Sequence, residues 1–146
     1  MTDETTANIF RVILGTMTFG LEKTRTETSL VRVRGVDNIA PFSITFHAHG
    51  HIEVDTARLY DNGDTETLLS LLSTAHFKIS TKFYPFAPGS HNKEKLPKQF
   101  RDSLAALKAE KVNILYLHAP DKSVPFKETS KVVDDLLQGG PLWARK

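Results

Sequence analysis

The chain has 146 residues, 40% hydrophobic and 25% charged, a composition that suits one globular domain and excludes a disordered or fibrous polypeptide. Lys and Arg total 19 against 17 for Asp and Glu, and a net charge of +2 is far below what a nucleic-acid-binding face concentrates. The lack of Cys removes disulfides, thiolate metal sites and cysteine nucleophiles.

In chain order, Ile9–Leu14 (IFRVIL) is a short apolar run with β-branched content that predicts a first strand, stopped by Gly15 and Gly20. Residues 21–49 read two ways. Leu30–Val33 looks extended, and Phe42, Ile44 and Phe46 alternate as in a strand, yet the order of elements predicts a helix before Gly50 that Pro41 could open. Ile52–Asp55 (IEVD) predicts a strand ending in an acid. Asn62-Gly63 is a turn pair, and Asp64 suits the N-cap of a helix carrying Leu68, Leu69 and Leu72.

Phe77–Thr81 alternates like a strand and leads into Lys82, and Pro85, Pro88 and Gly89 mark the next loop. Pro97 suits the first turn of a helix, where its missing N–H costs nothing, and Phe100, Leu104, Leu107 and Lys111 follow on one stripe. Asn113–Leu117 predicts a fourth strand ending at His118. A last helical face carries Phe126, Val132, Val133, Leu136 and Leu137, and Gly139-Gly140-Pro141 stops it. The alternation of strand and helix predicts an α/β fold with a parallel sheet.

In such folds the carboxyl ends of the strands open on one side, where ligands bind. Asp55, Lys82 and His118 stand at successive strand ends, and Tyr60 follows in the loop after Asp55. A free tyrosine titrates near ~10, a poor acid at neutral pH, and a neighbouring ammonium favours the phenolate. A carboxylate would hold the Lys charged, and a His could orient a carbonyl oxygen. The set suits carbonyl reduction, with hydride from a cofactor and a proton from Tyr. Each residue alone has a plainer reading: Asp55 as a turn or cap, Lys82 as a solvated cation, Tyr60 as a packing aromatic, His118 as a strand cap. The joint pattern overturns these. His47, His49 and His51 at alternate positions could face one way from a strand and bind a metal, but no carboxylate or fourth ligand is evident, so no metal is expected. Lys93, Lys95, Lys98 and Arg101, interspersed with Glu94 and Asp102, read as a wet helix face.

At these same residues the sequence resembles the aldo-keto reductases: GTMTFG at 15–20, GHIEVDTARLY at 50–60, STKFYP at 80–85 and SLAALKAEKVNILYLHAPD at 103–121 reproduce four motifs in order. Within that family it is most similar to the aflatoxin-aldehyde-reductase-like branch, which includes fungal enzymes of secondary metabolism. The resemblance implies a (β/α)8 TIM-type barrel, NADPH as cofactor and a small carbonyl substrate, an aldehyde or ketone. It also implies Tyr60 as proton donor, Lys82 as the cation beside it, Asp55 as partner of Lys82 and His118 as the group that orients the substrate. Asp55 would lie near the nicotinamide ribose, and Thr16 and Met17 near the cofactor at the first strand's exit.

A barrel of this class has eight βα units and ~250 residues; this chain supplies about four units in one domain over 1–146, the N-terminal half of the barrel. Where a fifth strand would follow, the chain reads PLWARK, so residues 141–146 are expected to be an aberrant tail. A non-catalytic remnant without the cofactor-binding half is therefore the alternative to an active reductase. The first and fourth strands would be open edges, and Ile13, Val54, Ile79 and Leu115 would face the unfilled barrel interior, so a marginally stable or aggregation-prone monomer is expected unless copies self-associate through the open edges, two of them closing a barrel. No uncharged apolar run approaches the ~20 residues of a membrane span, and the acidic, polar start MTDETTANIF is unlike a leader, so a cytoplasmic location with no membrane partner is expected.

Overall fold

Four short runs lie side by side in one parallel sheet, in the order β1-β4-β5-β6, in a computed structural model that describes residues 11–21, 33–72 and 75–139. The strands are β1 (Ile13–Gly15), β4 (Glu53–Asp55), β5 (Lys78–Phe83) and β6 (Ile114–Leu117). A minor parallel pair, β2 (Phe19–Gly20) with β3 (Val33–Arg34), lies beyond the exit of β1. The helices are α1 (Val36–Ala48), α2 (Asp64–Leu69), α3 (Lys95–Leu107) and α4 (Phe126–Gly139). Parallel neighbours need crossover connections, and helices supply them, so the chain builds four successive βα units of a (β/α)8-type barrel.

The register fixes which side chains share a face. Ile13 pairs with Glu53 and Glu53 with Lys78, while Gly15, Asp55, Ser80 and Ile114 form the next row. Successive strand residues point to opposite faces. Leu14, Val54, Ile79 and Leu115 therefore belong to the other face, and they pack with the helices in the hydrophobic core. The expectation that Val54, Ile79 and Leu115 look into the barrel interior is corrected: Val54 is 2% and Ile79 8% exposed, both covered by helices. Ile13, half exposed, does sit on the open face.

Each helix turns an apolar stripe onto that core. From α2 come Leu68 and Leu69, from α3 Leu96, Phe100, Leu104 and Leu107, and from α4 Val132, with Val133 and Leu136 partly buried. Phe100 meets Phe83 edge to face at 5.9 Å. Pro97 falls in the first turn of α3 as its missing N–H predicts, and Lys98 and Asp102 pair on the wet face at 2.7 Å.

Several boundaries differ from the sequence reading. β1 begins at Ile13 and includes Gly15; residues 9 and 10 lie outside the described residues, as do 30–32 and the tail 141–146. β5 runs through Lys82 to Phe83. Asp64 is the first residue of α2 rather than its cap; Gly63 takes the cap position at φ 93° with no side-chain cap bond. Leu72 lies beyond α2 yet still enters the core, while Lys111 lies beyond α3, which ends in left-handed Lys108.

Within the ambiguous stretch 21–49, residues 36–48 are helical, and Pro41 lies inside α1 past its first turn. There Phe42 and Ile44 remain 49% and 67% exposed, so their strand-like alternation does not mark a buried face. His47 is in the last turn of α1 and His49 follows as its cap, as a helix end predicts; His47 stacks on His76 at 3.9 Å. Among the described residues no helix is long and apolar enough to cross a membrane.

Candidate active site

All four sequence-selected residues converge at the carboxyl ends of β4, β5 and β6. Asp55 ends β4, Lys82 is the penultimate residue of β5, and His118 follows β6, its backbone N–H donating to the Phe83 carbonyl at 2.8 Å. Lys82 is the hub. Its Nζ donates to the Asp55 carboxylate, to the Thr56 carbonyl at 2.9 Å and to Tyr60 Oη at 3.0 Å. An ammonium has three N–H donors and no acceptor, so these three partners saturate it. The same Nζ lies 4.9 Å from the centre of the Tyr60 ring.

Tyr60 reaches this position through an unusual backbone. It opens a tight turn, Tyr60–Gly63, in which Asp61 (φ 46°) and Asn62 (φ 55°) are left-handed. Asn tolerates that region and Gly63 favours it. Gly63 has a φ of 93°, where other residues are strained, and a Cβ there would stand 2.5 Å from the guanidinium carbon of Arg58, which would have to shift. Arg58 donates to the Gly63 carbonyl at 3.0 Å and to Glu66 at 3.2 Å, and Glu66, fully buried, also accepts from Thr81 Oγ1 at 2.7 Å. Arg58, Glu66 and Thr81 thereby fasten both ends of the Tyr60 turn to α2 and β5. Arg34 of β3 lies 3.9 Å from Asp61 and approaches the same turn from the other side.

His118 sits edge-on between two tyrosines, with ring centres 5.9 Å from Tyr60 and 5.6 Å from Tyr84. Burial, and then the Lys82 ammonium, push its pKa below the ordinary value, with Asp55 opposing. It is therefore held neutral at physiological pH. Among the described residues its buried Nδ1 has no hydrogen-bond partner. Below it, Asp121 clips the loop after β6 to the loop after β5. It accepts from the His91 backbone N–H at 3.2 Å and from Ser123 Oγ at 2.6 Å, and the Ser123 bonds hold its carboxyl down at about 2.

Thr16 and Met17 stand at the exit of β1, beside Asp55. Thr16 is fully buried and its hydroxyl donates to the Asp55 carbonyl at 3.0 Å, so it fixes the β1 exit rather than offering a free donor. Met17 is 46% exposed. The sequence reading missed Arg58, Glu66, Thr56 and Tyr84. Of these, Glu66 left a signal: an acid at a position where α2 turns its buried side inward, between Thr65 and Leu68.

A parallel βα sheet with Lys, Tyr, Asp and His gathered where its strands end defines the class: an acid–base site at the mouth of a barrel-type α/β fold. The family model described as "Aldo/keto reductase family" matches residues 11–142, and the chain belongs to that family. It is similar to an aldo-keto reductase of Pseudocercospora fijiensis, 40% identical over 102 residues, which cover 66% of this chain and 34% of that protein. Aflatoxin B1 aldehyde reductase member 4 of Homo sapiens is 39% identical over 101 residues, covering 65% and 30%. Among solved structures, an aldo-keto reductase from Klebsiella pneumoniae in complex with NADPH superposes with a TM-score of 0.69 at 19% identity, over 89% of this chain and 42% of that one. The matched segments thus span about a third of the curated relatives' length.

Proposed function

We propose that this chain carries the acid–base machinery of an NADPH-dependent reductase that turns an aldehyde or ketone into an alcohol. The observation behind this reading is the bond from Lys82 Nζ to Tyr60 Oη at 3.0 Å, made while the same ammonium holds Asp55 and while His118 lies edge-on to the Tyr60 ring. When bound, the nicotinamide supplies hydride to the carbonyl carbon. Tyr60 gives its proton to the carbonyl oxygen, and the negative charge developing on Tyr60 Oη meets an ammonium already in place. Asp55 keeps that ammonium charged and oriented. His118, neutral, orients the carbonyl oxygen by hydrogen bonding without competing with Tyr60 as an acid.

The residues suit the nicotinamide end of the cofactor. The Asp55 side chain keeps 27% of its surface accessible beside Lys82, and half-exposed Met17 offers an apolar contact at the neighbouring strand end. The NADPH in the Klebsiella structure supports the choice of cofactor. A cytoplasmic location and a place in fungal secondary metabolism complete the reading, the latter supported by resemblance to the aflatoxin-aldehyde-reductase-like branch.

Tyr60→Phe removes the proton donor and keeps the ring. It should abolish NADPH-dependent reduction of an aromatic aldehyde and leave the far-UV circular dichroism unchanged; undiminished turnover would refute the assignment. A second reading is that these residues alone do not bind the cofactor, since they span 42% of the Klebsiella chain. NADPH fluorescence titration of the 146-residue chain separates the two: micromolar binding supports the first reading, and no binding supports the second.

A further inference from the structure

We propose that Asp121, acting with Ser123 and His91, is a positioning residue of the site: it anchors the strut that places the His118 imidazole between Tyr60 and Tyr84. The inference rests on the reading of His118 as the group that orients the carbonyl only for its effect on turnover; the placement itself is read without any substrate.

The strut is the four-residue run His118-Ala119-Pro120-Asp121, and it is pinned at both ends. At its start the His118 N–H donates to the Phe83 carbonyl at 2.8 Å. At its end the Asp121 carboxylate accepts from the His91 N–H at 3.2 Å, from the Ser123 N–H at 3.0 Å and from Ser123 Oγ at 2.6 Å. Pro120 has a fixed φ and keeps Ala119 out of the helical region, so little slack lies between the pins.

Both pins lead back to the loop after β5. The His91 imidazole, 1% exposed, hydrogen-bonds to the backbone of Phe83, the residue that also holds His118. Ser123 Oγ accepts from the Gly89 N–H at 2.7 Å, so that loop grips the strut at Gly89 and at His91. Asp121 is 6% exposed and its two oxygens are both engaged, Oδ1 by Ser123 and Oδ2 by His91, so it acts through His118 rather than on a substrate. An amide at this position would offer one acceptor oxygen in place of two and could not serve both partners. The plainer alternative is a carboxylate that stabilises two loops with no bearing on His118.

An NMR titration of the His118 ring, assigned by its loss in His118→Asn, separates the two. In the parent chain this ring titrates below 6.5, because burial and the Lys82 ammonium oppose its charge. Asp121→Asn and Ser123→Ala should each release the strut, let the ring into water and raise its midpoint toward 6.5, with unchanged far-UV spectra. Ser123→Thr keeps the hydroxyl at an exposed position and should retain the parent midpoint. Ile39→Val, a core truncation on α1, should lower the melting temperature without moving the midpoint. In carbonyl reduction the two releasing variants should lower kcat by up to about a hundredfold at unchanged KM for NADPH, as misplacement of a catalytic group does. A midpoint unmoved by Ser123→Ala, or moved as far by Ile39→Val, would overturn the proposal. A moved midpoint together with undiminished turnover in Tyr60→Phe would uphold the placement and remove the carbonyl-reduction reading instead.

Discussion

Arg58 and Glu66 offer the sharpest test of how the Tyr60 turn is held. Glu66 is fully buried and bonded by Arg58 at 3.2 Å and Thr81 at 2.7 Å, while the Arg58 side chain keeps 29% of its surface exposed. Arg58→Met preserves much of the packing stem but leaves a buried carboxylate whose remaining side-chain partner is the Thr81 hydroxyl. Removing one member of a fully buried pair costs about 3–5 kcal/mol; partial exposure of Arg58 lets water reach the vacated place, so the lower end, about 3 kcal/mol, is expected. That is a large part of the ~5–15 kcal/mol that holds a domain of ordinary size. Glu66→Leu in the same background removes the orphaned charge, so the double variant should be more stable than Arg58→Met alone, with a coupling of about 2 kcal/mol. Urea unfolding followed by circular dichroism on the four-member cycle measures this. A coupling below about 0.5 kcal/mol, the scatter of independent sites, would mean that the two residues do not act as a pair.

Further expectations follow from the core, the turn and the titrating groups. Phe100→Ala empties a site that is 1% exposed and removes the contact with Phe83, so a loss of about 3–5 kcal/mol should appear in thermal unfolding. Gly63→Ala forces a side chain into a left-handed position against Arg58 and should cost at least about 1–2 kcal/mol while weakening any Tyr60-dependent turnover. His91 and His118 both have folded pKa values lowered from 6.5, chiefly by burial. The unfolded chain therefore takes up their protons first, so stability is full above 6.5 and falls as pH drops below it; His91→Gln should flatten that part of a urea-midpoint profile. Asp121, held at about 2 against an ordinary 3.8, contributes stability that is present above 3.8 and lost as pH falls toward 2; Asp121→Asn should remove that acid limb.

The site was more legible than the fold around it, for a physical reason. Asp55, Lys82 and His118 each follow a short apolar run, and parallel topology alone brings such ends together; no long-range packing had to be guessed. The facing of Val54, Ile79 and Leu115 was misread because the apolar set was assigned to the barrel interior, whereas the helices cover it and the polar set of Glu53, Asp55, Lys78 and Ser80 takes the open face. The parity was nevertheless present: if Asp55 and Lys82 point to the open mouth, Val54 and Ile79 cannot, since the period is two. The stretch 36–48 stayed ambiguous because its exposed Phe42 and Ile44 carry no burial pattern and Pro41 sits past the first turn, where sequence rules expect no proline. Arg58 and Glu66 were passed over because a buried ion pair eight residues apart spans a turn and a helix start, a spacing no local periodicity encodes.

Why can such a set form on four strands at all? The hub needs only the registers β4–β5 and β5–β6, and both exist within the chain: Asp55 opposite Ser80, Lys82 opposite Tyr116. Tyr60 is then fixed from behind, by Arg58, Glu66 and Thr81, all on the helix side of those same strands. The mutual geometry of Tyr60, Lys82 and His118 is thus a local property of three neighbouring βα units. What local geometry leaves undone is the exclusion of water: Tyr116 and Ile13 stay half exposed on the face that the Lys82 hub shares. Electrostatic stabilisation of a developing phenolate is strongest in a dry site. Proton delivery by Tyr60 should therefore depend on how completely that face is covered.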